Sequence, residues 1–92
     1  EYEASLDELE ECVSDGREAS EAVEFKELQM AINMFLSELP EKKRILFLRR
    51  YWFLQPVKDI AKDYGITEKT ASMRLARLRE KLQQYLQEKE LI

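Results

Sequence analysis

The chain contains no histidine, one cysteine, two glycines and two prolines in 92 residues. Without histidine there is no imidazole base for a nucleophilic triad and no histidine-ligated metal site. Cys12 alone excludes a disulfide framework and any paired-cysteine metal or redox motif. Gly16 and Gly65 stand far apart, so there is no glycine-rich phosphate loop. No apolar run approaches the ~20 residues of a membrane span, and no basic-then-apolar signal segment opens the chain. Nothing demands an oxidising compartment, so the cytoplasm is the expected location and membrane insertion is not expected. The first residue is Glu1 rather than Met, which reads as a fragment or a processed piece. An enzyme fits poorly, because the carboxylates fall on solvated helix faces and so small a bundle offers little cleft. Neither a cofactor nor a metal is called for.

What is present is charge and apolar periodicity. Hydrophobic residues make up 45% and charged residues 37%, a globular mix with long surface helices, and 92 residues suffice for one small domain. The net charge of −4 conceals a polarity. Residues 1–41 carry 13 Asp/Glu against Arg17 and Lys26, a net of −11, whereas residues 42–92 carry 13 Lys/Arg against 6 Asp/Glu, a net of +7. A basic half suits a polyanion, and the acidic half has some other task.

Residues 1–20 read as an acidic linker. Within it Ser5 and Glu8 have capping-box spacing, and Leu6, Leu9 and Val13 share a face, so a short helix reaching about Cys12 is expected before Asp15-Gly16 breaks it. From about Glu21 the period becomes helical, with Phe25, Leu28, Ile32, Phe35 and Leu39 recurring at steps of three and four. Pro40 ends that helix and suits the first turn of the next, about Glu41 to Phe53. Ile45, Leu48 and Trp52 form the expected inner stripe of this second helix. The remaining apolar residues, Phe47, Tyr51, Phe53 and Leu54, divide between core and a docking patch. Val57 to Tyr64 predicts a short third helix, with Val57, Ile60, Ala61 and Tyr64 facing inward, ended by Gly65. Thr67 caps a long fourth helix to about Lys89, held by Ala71, Leu75, Leu78, Leu82 and Tyr85 or Leu86. The fold class is therefore all-α: a small bundle of about four helices ending in a long C-terminal one.

Val57–Leu78 has helix-turn-helix spacing. Ala61 permits a close crossing, Gly65 makes the turn, Ile66 plugs the junction, and Ala71 with Leu75 seats the second helix on the first. Such a second helix can lie in a DNA major groove. At 100° per residue, the face opposite the leucines carries Lys69, Met73, Ala76 and Glu80, with Ser72 and Arg77 at its sides. Arg74, Arg79 and Lys81 lie further round, where flanking phosphates would be. Arg77 is the best candidate for a bidentate contact to guanine, and Lys69 could serve near the helix start. Met73 and Ala76 offer apolar contact, Thr70 a hydroxyl for phosphate, and Lys58 and Lys62 further backbone contacts.

The ordered set Leu39-Pro40-Glu41-Lys42-Lys43-Arg44-Ile45-Leu46-Phe47-Leu48-Arg49-Arg50-Tyr51, Ile60-Ala61, Gly65-Ile66-Thr67 and Arg74-Leu75-Ala76-Arg77-Leu78-Arg79-Glu80-Lys81-Leu82 resembles domain four of bacterial sigma factors. It is most similar to the extracytoplasmic-function group, over about Phe25 to Leu86. The resemblance implies that residues 21–92 form the promoter-binding domain and residues 1–20 the linker before it. It implies binding to the minus-thirty-five element through Ser72, Met73, Ala76 and Arg77, with Arg74 and Arg79 on or near the backbone. The family often carries Lys or Arg at the position of Ser72 and Ser at that of Met73, so its usual promoter sequence does not transfer. It further implies a grip by the first two helices on the flap of the RNA polymerase β subunit, an anti-sigma protein as a second partner, and a monomer. The family's promoter-melting domain is absent here, so this chain alone would not initiate transcription. Two other readings suit the same residues: another helix-turn-helix regulator, such as a response-regulator output domain dimerising through its last helix, or a helical protein-interaction module whose basic face only solubilises it.

Overall fold

Four helices follow one another in the computed structural model, which describes residues 8–9, 11–12 and 25–91. They are α1 (Phe25–Glu38), α2 (Glu41–Tyr51), α3 (Val57–Tyr64) and α4 (Glu68–Glu88). Glu8, Leu9, Glu11 and Cys12 are also helical, as the expected short acidic helix requires, whereas Ser5, Asp15, Gly16 and Glu21 lie outside the described residues. No strand occurs among the described residues.

The stops and starts follow from local chemistry. Pro40 sits at the N-cap of α2, one position earlier than the first-turn site, and its carbonyl accepts from Arg44 N at 3.0 Å. Pro56 does the same for α3, accepting from Ile60 N at 3.1 Å. Gly65 closes α3 with φ at +66°, and Ile66 N and Gly65 N reach back to the carbonyls of Ala61 and Lys62. That pair of bonds is a Schellman motif, whose left-handed residue is best supplied by glycine. The side-chain oxygen of Thr67 accepts from Thr70 N at 3.1 Å, the expected cap of α4. At 1.5 Å per residue the 21 residues of α4 span about 32 Å.

That long helix packs against each of the other three. Its inner stripe is Ala71, Leu75, Leu78, Leu82 and Leu86, all buried, with Tyr85 half-buried beside it. Ile60 and Ala61 of α3 are buried against it, so the small Ala61 does stand at a close helix crossing. Of three ring contacts, two tie helices together and the third stiffens α2. Phe35 of α1 lies 5.6 Å from Tyr85 and 6.4 Å from Phe47, and Phe47 lies 4.8 Å from Tyr51. Each fully buried leucine contributes roughly 1.5–3 kcal/mol of transfer free energy, so α4 organises the core.

The second helix differs from expectation. Ile45 and Trp52, placed on its inner stripe, are 43% and 74% exposed, and Leu48 is only half-buried. The buried residues are Leu46, Phe47, Arg50 and Tyr51. At 100° per residue the true inner stripe lies roughly 160° round the helix from the expected one, nearly its opposite face, and it includes a cation. Arg50 is 2% exposed, and a charge at that depth requires partners. Its Nη1 donates to the Gln55 carbonyl at 3.0 Å, and its Nε and Nη2 donate to the Glu8 carboxylate at 3.3 and 3.1 Å. The neighbouring Arg49 instead faces α3. It pairs with Asp63, donates to Gln55 Oε1 at 2.8 Å, and lies 5.4 Å from the centre of the Tyr64 ring.

Candidate nucleic-acid interface

Burying the leucine stripe of α4 forces its other face outward. Lys69, Ser72, Met73, Arg74, Arg77, Glu80 and Lys81 are exposed, and Ala76 is half-buried. Met73, 47% exposed on a helix whose leucines are sealed, lies on the solvent side. Thr70 is half-buried, and its hydroxyl oxygen accepts from the Thr67 hydroxyl at 2.9 Å, so this side chain belongs first to the helix cap. Lys58 and Lys62 are exposed on α3.

The cations of α4 divide between two flanks. Arg74, Arg77 and Lys81 turn toward α2 and line, with Lys42 and Lys43, a cleft of about 440 Å³ floored by Leu46, Tyr64 and Leu78. Among the described residues, the ion pairs are those of Arg49 with Asp63 and of Arg50 and Arg79 with Glu8, so none neutralises this cleft. The Lys43 ammonium titrates below the usual lysine range. A hydrogen bond from Lys81, which only the neutral Lys43 amine can accept, lowers it first, then the charge of Lys81, then desolvation. Two ammonium groups held close without an acid between them create a positive field that favours an anion. Lys42 and Lys43 were not singled out from sequence, although the run Lys42-Lys43-Arg44 at a helix start was a visible signal.

Arg79 occupies the other flank and is turned inward. Its Nη1 donates to the Tyr51 hydroxyl at 2.7 Å and to Glu8 Oε1 at 3.2 Å. The expected place of Arg79 among the phosphate-facing cations therefore differs from its place here, because a carboxylate from the N-terminal segment reaches it first. Glu8 also accepts from the Tyr51 hydroxyl at 2.9 Å. Desolvation pushes the Glu8 carboxyl upward, but hydrogen bonds from Arg50 and Tyr51 and the charges of Arg50 and Arg79 outweigh it, so the group titrates below its ordinary value. Burial pushes the Tyr51 phenol up to about 12, against the pull of Arg79, so it stays a proton donor near neutrality.

A third surface is apolar. Leu28, Ile32 and Leu36 of α1 and Leu48, Trp52 and Phe53 at the end of α2 line an open groove of about 480 Å³. Trp52 and Phe53 are largely exposed along it, whereas Phe47 and Tyr51, two of the four apolar residues expected to divide between core and patch, are core.

Among the described residues, no group of His, Cys, Asp and Glu has a metal-binding arrangement, and no helix is long and apolar enough to cross a membrane. Comparison with curated proteins and with solved structures found no significant match. One family model does match. It is described as sigma-70, region 4, and it covers residues 29–82, more than half of the chain.

Proposed function

The chain belongs to the sigma-70 region 4 family, a DNA-binding helix-turn-helix family of transcription initiation rather than a catalytic one, and we propose that it recognises the minus-thirty-five promoter element. Within the family we place it in the extracytoplasmic-function group, with residues 1–20 as linker and 21–92 as the promoter-binding domain. The observation that carries the reading is the outward face of α4. It is braced behind by five buried residues and lined toward α2 by cations that no acid neutralises among the described residues.

In this reading Ser72, Met73, Ala76 and Arg77 meet base edges, and Lys69 meets them near the helix start. Arg77 donates two hydrogen bonds to a guanine, while Met73 and Ala76 pack against thymine methyls. Arg74, Lys81, Lys42 and Lys43 hold phosphates along one strand, Arg79 meets the other flank once free of Glu8, and Thr70 adds a hydroxyl contact. Lys58 and Lys62 carry the backbone past α3. The groove between α1 and the end of α2 receives an apolar helix tip of the polymerase β flap, with Trp52 and Phe53 as aromatic anchors. An anti-sigma protein is a second partner, the domain acts as a monomer, and its compartment is the cytoplasm.

The test is selection of bound sequences from a random duplex pool, with the chain both free and held on the polymerase flap. A discrete consensus should emerge, and affinity for it should fall linearly with salt on a logarithmic plot. Selection that enriches nothing in either format refutes the reading. A dimer in sedimentation would favour the response-regulator alternative.

A further inference from the structure

The buried Arg50 needs an anion, and the one it holds comes from outside the four helices. Glu8 lies in the acidic N-terminal segment, and its carboxylate takes hydrogen bonds from Arg50, Tyr51 and Arg79 together. The same turn is fastened at two more points. Leu9 packs on the core, and Cys12 Sγ donates to the Arg79 carbonyl at 3.0 Å. Three helical residues, Glu8, Leu9 and Cys12, therefore tie the segment to α2 and to the recognition helix at once.

Where this turn sits is informative. Glu8 and Glu11 share a cleft of about 260 Å³ with Ala76, Arg79 and Glu80 of α4. Ala76 is a position assigned to base edges, and Arg79 one assigned to phosphate. Two carboxylates thus stand on the flank where a strand of duplex would run, and one of them already occupies the guanidinium that a phosphate would use. Residues 1–20 carry 8 Asp/Glu against Arg17, a net of −7, so the segment competes for the basic half as a polyanion in its own right.

We propose that the acidic segment carrying Glu8–Cys12 is an autoinhibitory clasp, which occupies Arg79 and covers the Ala76 flank of the recognition helix until duplex DNA displaces it. The inference rests on the DNA-binding reading above. It makes the N-terminal segment part of the promoter-binding surface rather than a passive tether. A change that pulls the segment away, such as movement of whatever precedes it, would raise affinity without altering any base contact.

The chain holds a single thiol, Cys12, 7% exposed in the docked turn, so its rate of labelling by a maleimide reads the clasp directly. In the full chain without DNA, labelling should be slow. It should be much faster in Glu8→Ala, which removes the carboxylate, and in Leu9→Ser, which removes the apolar anchor and leaves the carboxylate in place. Saturating duplex of the selected sequence should accelerate labelling of the parent. Both variants should bind that duplex several-fold more tightly, and Glu8→Ala should steepen the salt slope by about one unit, for the one phosphate contact that Arg79 gains. Should Glu8→Ala fail to fold because Arg50 is stranded, Leu9→Ser carries the comparison. The clasp is overturned if parental Cys12 reacts like an unfolded thiol, or if bound duplex leaves its protection unchanged and Leu9→Ser binds no more tightly. If no form binds duplex at low salt, the DNA-binding reading fails and this inference falls with it. Slow parental labelling that speeds up in the variants would then show that the segment does dock on the bundle and that the DNA-binding reading is what had failed.

Discussion

Arg77 and Arg79 are two residues apart on one helix and carry the same charge, yet the structure gives them opposite environments. Two steps of 100° put them on different sides of α4. Arg77 is exposed beside the cleft shared with α2, and Arg79 is half-buried against Tyr51 and Glu8. Arg77→Ala removes no hydrogen bond that the fold uses, so stability should stay within about 0.5 kcal/mol. A bidentate guanine contact is worth about 1–3 kcal/mol, so specific affinity should fall by about fivefold to about 150-fold. Arg79→Ala removes two charge-assisted hydrogen bonds, of 2.7 and 3.2 Å. Buried bonds of that kind are worth about 1.5–3 kcal/mol, and the partial exposure of both Arg79 and Glu8 reduces the expected loss to about 1–2 kcal/mol. For a domain of this size that lowers the melting temperature by about 5–15 °C.

The DNA arm separates them further. Arg79→Ala forfeits one phosphate contact but also loosens the clasp, and the two effects offset, so specific affinity should change little. Urea unfolding followed by circular dichroism gives the stability term. Fluorescence anisotropy with the selected duplex and a scrambled one gives the binding terms. The reasoning is refuted if Arg79→Ala leaves stability unchanged while weakening duplex binding as much as Arg77→Ala. That result would place both arginines on DNA and neither on Glu8. It is equally refuted if Arg77→Ala weakens selected and scrambled duplex alike, since Arg77 would then hold only a phosphate.

Four further perturbations follow from the fold. Leu82→Ala, at a position with no exposed surface, should cost about 2–5 kcal/mol and leave the domain largely unfolded near 37 °C by calorimetry. The C-terminal ends of α3 and α4 are each followed by a left-handed residue, Gly65 and Glu90. Gly65→Ala meets no atom within 4 Å and should lose about 1 kcal/mol through φ alone, whereas Glu90→Gly relieves a φ of +59° at the end of α4 and should gain up to about 1 kcal/mol, both read from urea midpoints. Glu8 titrates below its ordinary value of 4.5 in the folded chain, so the stability it contributes is complete above that value and is lost as pH falls through the lower folded one. The stability difference between the parent and Glu8→Gln should therefore be constant near neutrality and shrink under acid, and a difference that grew under acid would reverse the assigned sign. Trp52→Ala with Phe53→Ser should abolish capture by the isolated β flap in a pull-down while leaving the melting temperature within a few degrees.

What periodicity could reveal, it revealed: the termini of α3 and α4, the cap at Thr67, the turn at Gly65 and the leucines behind the recognition helix. Those features depend on residues a few positions apart, and apolar spacing or a special φ betrays them. The second helix defeated the same method for a physical reason. Its inner face reads Leu46, Phe47, Arg50, Tyr51, and a rule that places charge outside rejects that face in favour of Ile45, Leu48 and Trp52. The rule is sound for an isolated helix, because a buried guanidinium without partners costs several kcal/mol. It failed because the compensating carboxylate sits in a segment whose composition reads as linker. Neither half of the Glu8–Arg50 pair makes sense alone: the arginine looks misplaced and the glutamate looks solvated. The two misreadings have one cause, and together they explain the placement of Arg79. Once Glu8 is drawn in to neutralise Arg50, its second oxygen lies within reach of Tyr51 and of the recognition helix, so the N-terminal segment and the DNA-facing surface become one electrostatic unit.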